Sequence, residues 1–133
     1  MVEVAKRVLL FASKLGYQTR SFAEAAKKLN VELIYVTDRC HQLDDPWEDH
    51  AIAVHFEKPA EAAQAAVDKV RSVAVDGILA LGDRPAHAAA FAARALSILF
   101  HHPSAVEACR SKLRMREVLR EAGLPVPWFR TGD

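Results

Sequence analysis

Short apolar runs alternate with stretches of helical period along this chain. Val8-Leu9-Leu10-Phe11-Ala12 is an unbroken apolar run ended by Ser13-Lys14-Leu15-Gly16, the pattern of a strand buried on both faces of a sheet. Ser21 and Glu24 make a capping-box pair, after which Phe22, Ala25, Ala26 and Leu29 share one helical face and Asn30 supplies a stop. Val31 to Thr37, rich in branched and aromatic residues, predicts a second strand. The polar stretch 38–50, DRCHQLDDPWEDH, interrupts the periodicity, and Ala51 to Phe56 then returns to a strand-like run. Pro59 opens a helical stripe formed by Ala63, Ala66, Val67, Val70, Val73 and Ala74. Asp76-Gly77 turns the chain into a fourth strand, Ile78 to Leu81, which ends at Gly82-Asp83. Asp83 is placed to cap a third helix, with Pro85 in its first turn and an alanine-rich run through Leu96. Ser97 to Phe100 predicts a short fifth strand, and residues 104–123 predict one amphipathic helix closed by Gly123-Leu124-Pro125.

Strand, helix and strand repeated with short connections predict an α/β fold of three layers. A Rossmann-like parallel sheet of about five strands, in the order 3-2-1-4-5, would carry helices on both faces. A chain of 133 residues is one domain of that kind. Within it, residues 1–103 form the core, 104–123 the terminal helix and 124–133 a linker into further chain.

Composition narrows the partners. Eighteen basic and seventeen acidic side chains nearly cancel, which argues against broad attraction to nucleic acid or a membrane surface. No apolar run reaches the ~20 residues needed to span a bilayer, and the short apolar stretch Val8 to Ala12, without a small-residue cleavage site behind it, is not expected to be a secretory signal. Cys40 and Cys109 lie far apart, as free thiols of a reducing, cytoplasmic protein do.

Ligands of such sheets bind beyond the carboxyl ends of the strands. Four loops are the candidates there: Ser13 to Tyr17, Asp38 to His41, Gly82 to Arg84 and His101 to Pro103, the last read as turn chemistry before a proline. The first loop has one glycine rather than a dinucleotide fingerprint, and without that fingerprint Asp38 reads as a cap or turn residue more readily than as a ribose ligand. Gly82 permits close approach, and Asp83 and Arg84 offer a carboxylate and a guanidinium at the same edge, although a helix cap with a surface arginine explains them equally simply. The segment containing Cys40, His41, Asp44, Asp45, Glu48, Asp49 and His50 lacks a compact ligand pair and reads as a solvated loop, not a metal site. On the terminal helix Val106, Cys109, Leu113, Val118 and Ala122 suit burial, while Lys112, Arg116 and Arg120 align at spacings of four. A solvated face balanced by Glu107, Glu117 and Glu121, or a phosphate-binding face, fits that pattern.

The segment HPSAVEACRSKLRMREVLREAGLPVPWF resembles the junction at which ATP-grasp ligases pass from their N-terminal domain into their ATP-binding domains. The matching elements are His102-Pro103, Ser111-Lys112, Met115-Arg116 and Ala122-Gly123-Leu124-Pro125-Val126-Pro127. The first strand and helix, the Asp38 turn and Gly82-Asp83 are also similar, so the resemblance extends over essentially the whole chain. It implies a preATP-grasp domain like those of biotin carboxylase, carbamoyl phosphate synthetase, the purine-pathway ligases and many carboxylate–amine ligases. The implied activity of the whole protein is ATP- and magnesium-dependent joining of a carboxylate to an amine, or to a thiol, through an acyl phosphate.

Carried onto this sequence, the resemblance makes Lys112, with Arg116 beside it, the nucleotide contact. It makes Ser13, Gly16, Gly82, Asp83 and Arg84 the wall facing a small carboxylate substrate. It assigns no catalytic residue and no metal ligand to residues 1–133, and the chain by itself is expected neither to hydrolyse ATP nor to bind ATP and magnesium tightly. Its expected partners are the ATP-grasp domains of a longer polypeptide, with homodimer formation through surfaces meant for those domains as a further state. The competing expectation is a free-standing Rossmann-like module that binds a nucleotide or anion without catalysis. A phosphoacceptor receiver domain is set aside because Glu57-Lys58 stands where it needs an aspartate.

Overall fold

The computed structural model describes residues 5–13, 17–38 and 50–132. Its elements are β1 (Lys6–Ala12), α1 (Tyr17–Lys28), β2 (Val31–Thr37), β3 (Ile52–Ala53), α2 (Pro59–Lys69), β4 (Gly77–Leu81), α3 (Asp83–Ala95), α4 (Pro103–Arg110) and α5 (Lys112–Glu121). All the strands are parallel and their order is β3-β2-β1-β4. This is the Rossmann-like α/β arrangement, with four strands among the described residues where about five were expected.

β1 is central, paired with β2 on one side and β4 on the other, and its residues Leu9 to Ala12 are buried. That position demands the continuous apolar run seen in the sequence. Leu9 and Phe11 face a cluster with Val36, Ile78 and the alanines of α2 and α3, while the strand alternation sends Leu10 to the opposite face, where it is equally buried. α1 lies against β2, with Thr19 and Ala26 buried. The small side chains Ala88, Ala89, Ala92 and Ala93 let α3 settle closely onto the sheet and onto α2. Asp76 secures the entry to β4 twice: its carboxylate accepts the Arg7 N–H at 2.8 Å, and its own N–H donates to the Arg7 carbonyl at 2.8 Å.

The expected fifth strand is absent, and the reason lies in how α3 ends. Ser97 adopts φ 56°, its N–H donates to the Arg94 carbonyl at 3.3 Å, and the Ile98 N–H donates to the Ala93 carbonyl at 2.9 Å. These bonds form a Schellman ending that takes up the amides a strand would need. Ile98 and Phe100 pack on the core, while Leu99 is 98% exposed.

The single terminal helix expected over residues 104–123 is two helices. Ser111 is extended (φ −112°, ψ 116°) and its Oγ accepts the Arg114 N–H at 3.2 Å, so a serine inside an apparently helical pattern becomes the N-cap of α5. His102 caps α4 in the same way, Nδ1 accepting the Ser104 N–H at 3.2 Å, with Pro103 opening the helix. The Gly-Leu-Pro stop behaves as the sequence predicts: Gly123 sits at φ 74° and the Leu124 N–H donates to the Leu119 carbonyl at 2.9 Å.

Other boundaries shift. α1 starts at Tyr17, so the Ser21–Glu24 pair lies inside the helix, and buried Thr19 docks the first turn. α2 ends at Lys69, and a turn rather than the helix carries Val73 onto the core. The third strand shrinks to Ile52–Ala53.

Candidate functional site

At the carboxyl edge of the sheet the register brings two of the sequence candidates together. Ala12 pairs with Leu81, so Ser13 and Gly82 leave neighbouring strands at the same level. Strand order reverses here: the chain runs outward from β1 through β2 to β3 and then returns to β1's other side with β4. This is the topological switch point at which open α/β sheets bind their ligands.

Gly82, not Asp83, is the N-cap of α3, and it makes no side-chain cap bond. It adopts φ 97° and ψ 164°, a conformation open essentially to glycine alone. Asp83 therefore begins the helix instead of capping it. The Ala86 N–H is taken by the Gly82 carbonyl at 3.0 Å, and Pro85 has no N–H. The amides of Asp83 and Arg84 are the first-turn donors left facing the edge.

Arg84 is turned aside: its Nη1 donates to Glu57 Oε1 at 2.9 Å, linking the start of α3 to the segment after β3. Both side chains are more than half exposed, so this pair contributes at most about 1 kcal/mol. At the end of β2, Asp38 Oδ1 is buried and has no hydrogen-bond partner among the described residues. Gly16 and the acidic and metal-like residues from Cys40 to Asp49 lie outside the described residues. Among the described residues, no three His, Cys, Asp or Glu side chains are grouped to hold a metal ion.

Lys112 and Arg116 lie on α5, whose main packing partner is α4. Lys112 is the exposed first residue of the helix and has no counter-ion among the described residues. The other cations are engaged. Phe129, on the exit from α5, lies 5.5 Å from the Arg116 guanidinium carbon and 4.4 Å from that of Arg120, and Arg114 pairs with Glu117 at 3.6 Å. No residue of α5 is buried; Leu113 and Val118, expected to face a core, are more than a third exposed, and Trp128 is 84% exposed.

A second cluster escapes a linear reading. Arg110, near the end of α4, places Nη1 3.1 Å from Nδ1 of His87, which is buried on α3 twenty-three residues earlier. His87 falls within an alanine run and looks like one more core position. Its pairing depends on the α3–α4 contact, which no local pattern announces.

The described residues thus form a Rossmann-like domain with a switch-point crevice and a basic helix. No protein-family profile matches the chain, and no curated protein does. Solved structures do. The L-amino acid ligase from Bacillus licheniformis superimposes with a TM-score of 0.71 at 19% identity, over 95% of this chain and 32% of that one. Phosphoribosylglycinamide synthetase from Anaerococcus prevotii does so with a TM-score of 0.59 at 18% identity, over 90% of this chain and 29% of that one. The fold of this chain is therefore that of the matching part of these two structures. The chain spans about a third of the length of either structure. No helix among the described residues is long and apolar enough to cross a membrane.

Proposed function

We propose that this chain is the substrate-side domain of an ATP-dependent ligase that joins a carboxylate to an amine or a thiol. The carboxylate takes the γ-phosphoryl group of ATP to give an acyl phosphate and ADP. The nucleophile then attacks the acyl carbon and expels phosphate. The observation that carries this reading is the likeness over 95% of the chain to an L-amino acid ligase three times as long, joined to the sequence resemblance at Ser111-Lys112 and Ala122 to Pro127.

In this proposal the switch-point edge of Ser13, Gly82 and Asp83 forms one wall of the carboxylate site, with Gly16 and Arg84 flanking it. Lys112 fits a nucleotide phosphate as a free cation on the first turn of a helix, where the backbone dipole also favours an anion. Arg116 would support it, once released from Phe129. In this proposal the magnesium and most of the nucleotide site belong to other domains of a longer polypeptide. Such a protein works in the cytoplasm, where ATP is supplied.

The test is Lys112→Ala in the protein expressed from its complete reading frame. Losing one charge-assisted contact to phosphate should raise the KM for ATP about tenfold or more, leaving the KM for the carboxylate nearly unchanged. An unchanged KM for ATP would remove Lys112 from the nucleotide site.

A further inference from the structure

α5 reaches the rest of the fold through a chain of contacts: it packs against α4, and α4 packs against α3. No residue of α5 is buried. The buried residue of α4 is Pro103, in its first turn, and Val106 in its middle is half-buried. Burial therefore secures the near end of α4. The far end, which leads into Ser111 and Lys112, is held differently.

That far end carries Arg110, whose Nη1 lies 3.1 Å from Nδ1 of His87. Among the described residues this is the side-chain hydrogen bond that ties α4 to α3, and no ion pair joins the two helices. A guanidinium only donates, so Nδ1 accepts, and the ring is neutral with its proton on Nε2. His87 is 7% exposed and its ring lies 5.3 Å from that of Phe91, so the acceptor is fixed in the α3 side of the seam. Its neighbours Ala86, Ala88, Ala89 and Ala90 pack without any such group. A histidine in this row supplies what alanine lacks: a buried acceptor aimed at the end of α4.

Beyond Arg110 the chain has one joint. Ser111 is extended, and its N–H donates to the Ala108 carbonyl at 3.3 Å. Its Oγ accepts the Arg114 N–H at 3.2 Å and its carbonyl accepts the Met115 N–H at 2.8 Å. One residue thus fastens the last turn of α4 to the first turn of α5. The direction of α5 follows the last turn of α4, and that turn follows His87.

We infer that His87 is a positioning residue. By holding Arg110 it sets the direction in which α5 leaves the Rossmann-like core, and with it the place of Lys112. The claim about direction stands on these contacts alone, and its bearing on nucleotide binding rests on the ligase reading.

The experiment measures amide residual dipolar couplings of the 133-residue chain in a dilute phage medium. In the parent, the couplings of α3 and α5 should fit one alignment tensor. His87→Phe keeps a ring beside Phe91 and removes the acceptor, and Arg110→Met keeps the aliphatic stem and removes the donor. In either variant the α5 couplings should fall by about half or more, while those of α3 and the sheet keep their parent values. The double variant should match either single one, because the same bond is lost only once. His87→Asn, which returns an acceptor oxygen near the place of Nδ1, should restore the α5 couplings. Arg110 is exposed, so Arg110→Met decides the matter if His87→Phe disturbs the packing of α3. Parent-like α5 couplings in Arg110→Met, losses that add in the double variant, or no recovery with asparagine would overturn the assignment. No nucleotide enters this measurement, so its failure is separable from a failure of the ligase proposal.

Discussion

Phe11→Ala is expected to destabilise the domain by about 3–5 kcal/mol, the usual cost of emptying a buried phenylalanine site. Phe11 is fully buried in the middle strand, its ring 6.4 Å from that of Phe56 and in one cluster with Leu9, Val36 and the α3 alanines. Those alanines have no side-chain length with which to fill the void, so little relaxation is available. Domains of this size have only about 5–15 kcal/mol to lose, so the variant should unfold at a much lower urea concentration or not fold at all. Phe11→Leu retains most of the volume and should cost markedly less. If the alanine variant lost under ~1 kcal/mol in urea denaturation, the packing described around β1 would be wrong.

Gly82→Ala should produce the next largest effect, and for a different reason. A Cβ built there comes no nearer than 3.7 Å to Pro85 Cδ, an ordinary contact, so crowding contributes nothing. The cost comes from holding a non-glycine residue at φ 97° and ψ 164°, about 1–3 kcal/mol. Alanine also restricts the unfolded chain, which returns about 0.4–1 kcal/mol, so a net loss of about 1–2 kcal/mol is expected in urea denaturation with an unchanged m-value. Stability equal to the parent's would show that the β4–α3 turn does not hold this conformation. The position matters because the same turn sets the direction in which the Asp83 and Arg84 amides face the switch-point edge.

These two sites also mark what the sequence reveals and what it conceals. The buried strand at Val8 to Ala12 is legible because a strand enclosed on both faces must be apolar at every position. Pro85 is legible in the first turn of α3 because its ring fixes φ, whereas the cap expected at Asp83 lies at Gly82, whose φ of 97° only the structure reveals. The break at Ser111 is hidden because Ser111 interrupts neither charge nor apolar spacing, and only its backbone angles and the bond from Arg114 reveal the cap. The fifth strand is mistaken because Ile98, Leu99 and Phe100 have strand-like side chains, while the competing helix ending depends on Ser97 entering a left-handed conformation usually taken by glycine.

The candidate site divides in the same manner. Ser13, Gly82 and Asp83 follow from strand order once the fold is known. Asp38 Oδ1 becomes noteworthy only when its burial without a partner among the described residues is seen. The basic row on α5 is readable as a row, but the contacts of Arg116 and Arg120 with Phe129 depend on the exit segment folding back, which helical spacing does not encode.

The central claim is that this domain serves a ligase working through an acyl phosphate, and trapping that intermediate tests it most directly. The protein expressed from its complete reading frame would be given ATP, magnesium, a panel of carboxylates and hydroxylamine, which intercepts an acyl phosphate to form a hydroxamate and release phosphate. The account predicts hydroxamate formed in step with ADP, and only when a suitable carboxylate, amino acids among them, is present. No hydroxamate and no carboxylate-dependent release of ADP across the panel would contradict it.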